Sequence, residues 1–402
     1  MAQEFNNGDV AELILAAAIA AKFQKRLSTA KLTREQIISI GDLPRISSGE
    51  VKDTLKTIIS NSFKSQFNVR DRDIVNKRIS RITDNISVAV KIPENSERYI
   101  SAQPIGSRFS NFENIFNSAT NFVNADTEIK RKVFNTQFNL KKDLIEIQGL
   151  GTQGQRTTKV DVRVDITTGG ATLLRKSSQI SLKFNTGQFA QTVGLEFEKF
   201  ANIFEELGIT DYQKDKEVFD KAIFDAYPDI TGKRFASSQD VTNSNEVKAL
   251  KEAARKIFTG RIKRELDTKI NNDNFKSNLA TFIKKKATLN ESGVELVKFL
   301  EDGRFLKQTF GDDFTNAITS MDLAVTIKTN ARNVKGGKMG EETDNPTICI
   351  YKKGGDPVQD LLVEFRYRSD SRKPKGQNYY LIIMRTLVIA GKSLYTLGAT
   401  NE

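Results

Sequence analysis

The chain has 402 residues, 38% apolar and 28% charged, a composition that supports a real core rather than a disordered chain. Lys and Arg number 62 against 50 Asp and Glu, so the net charge is +12 and a polyanionic partner, nucleic acid first, is favoured. There is no histidine and one cysteine, Cys349, which excludes histidine-based nucleophilic catalysis, an internal disulfide, and zinc or iron–sulfur sites built on His or Cys. Hydrolytic chemistry is left with carboxylates, lysines, hydroxyls and a hard metal ion.

In chain order, residues 8–26 predict a helix that is apolar almost all round and therefore buried. Its run AELILAAAIAA, 11–21, is too short for the ~18–20 residues of a membrane span, holds Glu12, and lacks the basic flank of a signal peptide. A soluble cytoplasmic protein without a membrane partner is expected. Residues 49–66 and the basic stretch 72–85 read as helices, 86–92 (ISVAVKI) as a strand and 110–140 as helical again. From 143 the period changes to two. DLIEIQGLG, TKVDVRVDI and the segment ending SQISLKF alternate like the strands of a meander, with turns at GTQGQ and TTGG. A helix is expected over about 186–207. Residues 211–310 read as mainly helical and charged, and 320–402 returns to strands, with Cys349 as a buried structural thiol in TICIY.

These elements predict a mixed α/β fold with one central sheet flanked by helices and large helical additions. The expected divisions are a mainly helical region at 1–142 and core strands and a helix at 143–210. A helical insertion at 211–310 and a strand-rich part at 311–402 that completes the sheet would follow.

Within the meander, Val160, Val162 and Val164 point one way and Asp161, Arg163 and Asp165 the other. On the next strand Ile180, Leu182 and Phe184 share one face, and Gln179, Ser181 and Lys183 the opposite one. If the apolar sides match, Asp161 and Lys183 lie on one polar face, although a bulge near TTGG would hide the register. On the following helix, at about 100° per residue, Glu196 falls inside the apolar face of Phe189, Val193, Phe200, Phe204 and Leu207. A carboxylate there needs a partner, either a metal or an arginine. Glu12 is the only charge in the apolar run 11–21. It is either an active-site acid or a first-turn residue favoured by the helix dipole.

An aspartate on one strand and a short motif ending in lysine on the next resemble the core of the PD-(D/E)xK, restriction-endonuclease-like nucleases. Val160 stands where that motif has proline, and Ser181 where it has an acid. Ser181-Leu182-Lys183, with Glu196 after twelve further residues, is similar to the Ser-x-Lys variant of a subset of type II restriction endonucleases. The resemblance covers about 143–207, with 8–26 as the helix on which many members carry an acid. It implies a restriction-endonuclease-like sheet and a Mg²⁺-dependent DNA endonuclease, Mn²⁺ being the alternative metal. Asp161 and Glu196, with Glu12, would be metal ligands. Lys183 would be the catalytic lysine, and Ser181 and Gln179 would support it by hydrogen bonding. Cutting both strands at one site calls for two active sites, hence a homodimer.

The competing expectation is a non-catalytic nucleic-acid-binding or phage assembly protein with a degenerate nuclease core, which Ser181 keeps open. The lack of His and Trp and the Asn/Lys-rich style resemble phage-encoded proteins, whose place of action is the host cytoplasm. AGKSL at 390–394 ends like a P-loop but has Thr386 where the first glycine belongs. The loop NARNVKGGKMG suits phosphate contact or mere flexibility, and RKIFTGRIKREL reads first as a solvated helix face.

Overall fold

The computed structural model describes residues 7–29, 37–38, 44–62, 77–92, 112–125, 129–134, 137–149, 160–168, 173–184, 190–191, 203–209, 260, 262–289, 291–308, 310–329, 346–357, 360–366 and 385–388. The chain forms two compact units. The first contains 1–187, 288–309 and 399–402, and the second 188–287 and 310–398. Both α-helices and mixed sheet are present, as the sequence predicts.

In the first unit, helix α1 (Asn7–Thr29) is followed by the short strand β1 (Ile37–Ile38), helix α2 (Ser48–Ser62) and the hairpin of β2 (Lys77–Thr83) and β3 (Ile86–Lys91). Helix α3 (Phe112–Ala125), a π-helical turn (Lys130–Phe134) and β4 (Phe138–Asn139) lead into β5 (Asp143–Gly149), β6 (Val162–Thr168) and β7 (Leu173–Phe184). Strands β9 (Val294–Phe299) and β10 (Phe305–Gln308) complete a seven-stranded sheet of order β10-β9-β7-β6-β5-β3-β2. The β3–β5 and β7–β9 pairs are parallel and the rest antiparallel.

One face of this sheet builds the core because its side chains alternate. Val88, Ile145, Ile147, Val162, Val164, Ile166, Ile180 and Val297 are each at 0% exposure beneath α1. The alanines of α1, Ala16, Ala17, Ala18 and Ala20, are equally buried and let the helix lie close to the sheet. Helix α2 starts with a capping box that the sequence reading passed over. Ser47 N donates to Glu50 Oε2 at 2.7 Å, and Glu50 N donates to Ser47 Oγ at 3.3 Å. Ser47→Ala is expected to lower stability by about 1 kcal/mol in a urea melt.

The same box gives a pH dependence. The Lys25 ammonium, 2.8 Å away, together with the Ser47 hydrogen bonds, holds the Glu50 carboxyl below its usual 4.5. A depressed carboxylate contributes stability above its unfolded pKa and loses it as pH falls through the folded one. The gap in stability between wild type and Glu50→Ala should therefore be full near neutrality and close below about pH 4.5. Glu50 is 41% exposed, so solvent screening keeps that gap small. A gap that persists at pH 3 would contradict this.

The second unit contains β8 (Ala190–Gln191), a helical segment over 262–269, α4 (Asp273–Thr288) and α5 (Asp312–Thr319). Strands β11 (Leu323–Thr329), β12 (Pro346–Lys352), β13 (Leu361–Arg366) and β14 (Arg385–Val388) form with β8 a five-stranded antiparallel sheet of order β11-β12-β13-β14-β8. Cys349 is a buried free thiol on β12.

Three expectations are corrected here. Residues 77–83 are strand, not helix: the turn before β3 folds them back into a hairpin, although Ile79 and Ile82 stand three apart as on a helix face. The end of the predicted helical insertion, 294–308, supplies the two strands that complete the seven-stranded sheet. The strands after 320 do not complete that sheet but make their own. Among the described residues no helix is long and apolar enough to cross a membrane.

Candidate active site

The site is built where β6 begins and β7 ends. The β6–β7 register pairs Val162 with Ile180 and Arg163 with Gln179, and Asp161 N continues it by donating to Ile180 O at 2.8 Å. Extending this antiparallel register by one residue sets Asp161 opposite Ser181. A register shift between Ile166 and Thr167, next to the TTGG turn, is the bulge the sequence left open.

Asp161 is buried, its side chain 5% exposed. Its Oδ2 accepts three hydrogen bonds, from Lys183 Nζ at 2.8 Å, Ser181 Oγ at 3.1 Å and the Leu182 backbone N–H at 2.6 Å. Lys183 Nζ also donates to Leu182 O at 2.9 Å and keeps 21% of its side chain exposed. A buried carboxylate is tolerable only with this degree of pairing. No hydrogen bond from the described residues reaches Oδ1. Asp161 thus offers one oxygen held rigidly from behind and a second oxygen of hard-ligand character beside a partly exposed ammonium.

Asp165, two positions further than Arg163 along the same face, is 6% exposed and accepts from Arg163 Nε at 3.0 Å. It fixes that arginine and does not join the Asp161 cluster. Gln179 lies opposite Arg163, one step along the face from Ser181.

Glu12 approaches from the core side. Gly149 is paired with Val162, the neighbour of Asp161, and a Cβ on Gly149 would sit 3.9 Å from Glu12 Oε2 and 2.9 Å from Val90 Cγ1. The space above Gly149 is taken by the Val90 side chain, and the Glu12 carboxylate on the first turns of α1 stands at ordinary contact distance from the same position. Gly149→Ala must push against the stiff, buried Val90, and is expected to destabilise by about 1–3 kcal/mol. An unchanged urea midpoint would contradict that close contact.

Glu196 lies outside the described residues, as does 192–202 of the helix expected over 186–207; the described residues 190–191 are strand β8. Among the described residues no group of three or more acids, histidines or cysteines that could hold a metal is assembled. That donor set still suits magnesium. Mg²⁺ binds through one or two carboxylates, retained waters and substrate phosphates rather than an all-protein cage; Asp161 is one such carboxylate on the polar face, whereas Glu12 lies on the core side, beside the Cβ position of Gly149.

One residue escaped the sequence reading. The β7–β9 register places Lys298 beside Lys183, on the same face of the sheet. Burial lowers the Lys298 pKa from its ordinary value. The signal was present in VELVKF, a run of strand formers after a turn, inside a segment otherwise rich in helix formers. The described residues also form an open cleft of about 650 Å³ lined by Ala21, Lys25, Glu50, Thr54 and Asn85. It lies at the other end of α1 and of the sheet, and no predicted site residue reaches it.

Compared with protein-family models, curated proteins and solved structures, the chain matches none.

Proposed function

We propose that the protein is a metal-dependent phosphodiester hydrolase acting on DNA, an endonuclease of the restriction-endonuclease-like kind. The observation that carries this reading is the Lys183–Asp161–Ser181 cluster on neighbouring strands, with one carboxylate oxygen saturated by three donors and the other unbonded among the described residues. The net charge of +12 suits a polyanionic substrate.

Asp161 would hold Mg²⁺, and Glu196, by the Ser-x-Lys spacing, and Glu12, on the first helix, are the further carboxylates the resemblance suggests. Bound there, the metal supplies Lewis-acid polarisation of the scissile phosphate. The chain's own residues do the rest. Lys183 holds an attacking water in line and offsets negative charge gathering on the phosphate oxygens. Ser181 and the Leu182 N–H fix the Asp161 carboxylate so that it does not rotate. The water oxygen joins phosphorus, the bond from phosphorus to the leaving oxygen breaks, and the proton of the water ends on solvent or the leaving oxygen.

A second reading, a nucleic-acid-binding or phage assembly protein with a degenerate core, draws on one observation. Ser181, where an acid would add a ligand, is 0% exposed and points its hydroxyl at Asp161. The two readings separate on supercoiled plasmid incubated with Mg²⁺, Mn²⁺ or EDTA. Nicking that needs the metal supports the hydrolase. Salt-sensitive retention without cleavage supports the binding protein.

A further inference from the structure

We propose that strand β11 is the interface of a symmetric homodimer, pairing antiparallel with β11 of a second copy of this chain. The seven- and five-stranded sheets have four edges, and three of them are ill-suited to pairing. Strand β10 has four residues and β8 two, while β2 carries the exposed Arg81 and a register shift between Arg81 and Thr83. Short length, charge and bulges are the means by which sheets keep an edge unpaired. Strand β11 has a single charge, Lys328, and otherwise none of these guards. Its seven residues, LAVTIKT, contain no proline and pair with β12 without a shift. Among the described residues no strand pairs with its outer edge. Residues 324–328 are half-buried or exposed on both faces, whereas Ile348, Cys349 and Ile350 beside them on β12 are at most 2% exposed.

The pattern of β11 is complementary to itself, which selects a second copy as the occupant. In a two-fold interface residue i faces residue j and j faces i. Thr326 is the midpoint of β11, so an axis there pairs all seven residues. It sets Thr326 opposite Thr326, Val325 opposite Ile327 and Ala324 opposite Lys328. Directly opposed residues share a sheet face, so the row of Leu323, Val325 and Ile327 runs on from one copy to the other. Ile327, 37% exposed, is then covered by Val325 of the second copy, a β-branched cross-strand pair formed twice. The two Lys328 side chains start four residues out of register, ~14 Å apart along the strands, so no like charges oppose. The outward N–H and C=O groups of each β11 satisfy one another, and two five-stranded sheets become one of ten strands. The surface is chosen by the sheet edge alone and does not depend on the hydrolase reading.

Sedimentation velocity of the full chain over a concentration series tests the dimer, and cysteine cross-linking tests its register. Wild type should pass from monomer to a species of twice the chain mass as concentration rises. Ile327→Lys changes a side chain already exposed in the single copy, so it should keep the wild-type circular dichroism and remain a monomer. Cross-linking is done in a Cys349→Ala background, because Cys349 is the direct β12 neighbour of Thr326. Opposed residues of an antiparallel pair have Cα atoms about 4.5–5.5 Å apart, within disulfide reach. Thr326→Cys should therefore give a disulfide-linked dimer on mild oxidation. Lys328→Cys, with its counterpart ~14 Å away, should not. A wild type that is monomeric at every concentration overturns the proposal. So does a dimer undiminished in Ile327→Lys, or cross-linking of Lys328→Cys equal to that of Thr326→Cys.

Discussion

Lys183→Ala is expected to lose metal-dependent cleavage by about 100- to 1,000-fold while remaining folded, and Asp161→Ala to lose cleavage and stability together. The two differ because of where each side chain sits. Lys183 is 21% exposed, so its removal opens a site that water can enter. Asp161 is 5% exposed and accepts from a hydroxyl, a backbone N–H and an ammonium at one oxygen. Its loss strands three donors, one of them charged, which costs about 3–5 kcal/mol. Urea unfolding of Asp161→Ala, Lys183→Ala and the double variant checks this as a cycle. The double variant should be less destabilised than the sum of the singles, because removing both partners leaves no buried charge alone. Strict additivity would mean that the 2.8 Å contact contributes nothing.

Lys22→Ala is expected to be the most damaging substitution away from the site, at about 3–5 kcal/mol. Lys22 is 0% exposed in the middle of α1. Its Nζ donates to Pro44 O at 2.6 Å and to Asn124 Oδ1 at 2.9 Å. Asn124 in turn holds both the N–H and the carbonyl of Ile46. One ammonium therefore ties α1, the segment leading into α2, and α3 into a single polar knot within an apolar core. Alanine removes the stem, leaves a cavity, takes a donor from Pro44 O and leaves Asn124 Oδ1 with the Ile46 N–H. Lys22→Met keeps most of the volume and loses only the donor, so it should cost about half as much. Equal melting of wild type and Lys22→Ala would show the knot to be dispensable.

The parts of the fold legible in the sequence are those where one face is buried and the other is not. DLIEIQG, VDVRVD and SQISLKF alternate because Ile145, Ile147, Val162, Val164 and Ile180 meet α1 while their neighbours do not. That alternation was enough to bring Asp161, Ser181 and Lys183 together. It could not supply the register, which depends on a shift between Ile166 and Thr167 in the strand before a turn. The hairpin at 77–91 was misread because Ile79 and Ile82 of KRISRIT stand three apart, a helical spacing, and a register shift between Arg81 and Thr83 interrupts the strand alternation there. Strands β9 and β10 were missed inside a helix-rich region, since six and four residues are too short to outweigh their neighbours. With them went Lys298. Strand content after 320 was legible, but which sheet those strands join is set by long-range pairing that no local pattern encodes.

The most direct test of the proposal that Asp161, Ser181 and Lys183 form a hydrolytic centre is a time course of supercoiled plasmid with wild type and Lys183→Ala, each with Mg²⁺ and with EDTA. Nicked and linear products are expected only for wild type with Mg²⁺. Cleavage by Lys183→Ala at the wild-type rate, or intact plasmid in every lane while the wild type is folded, would contradict it.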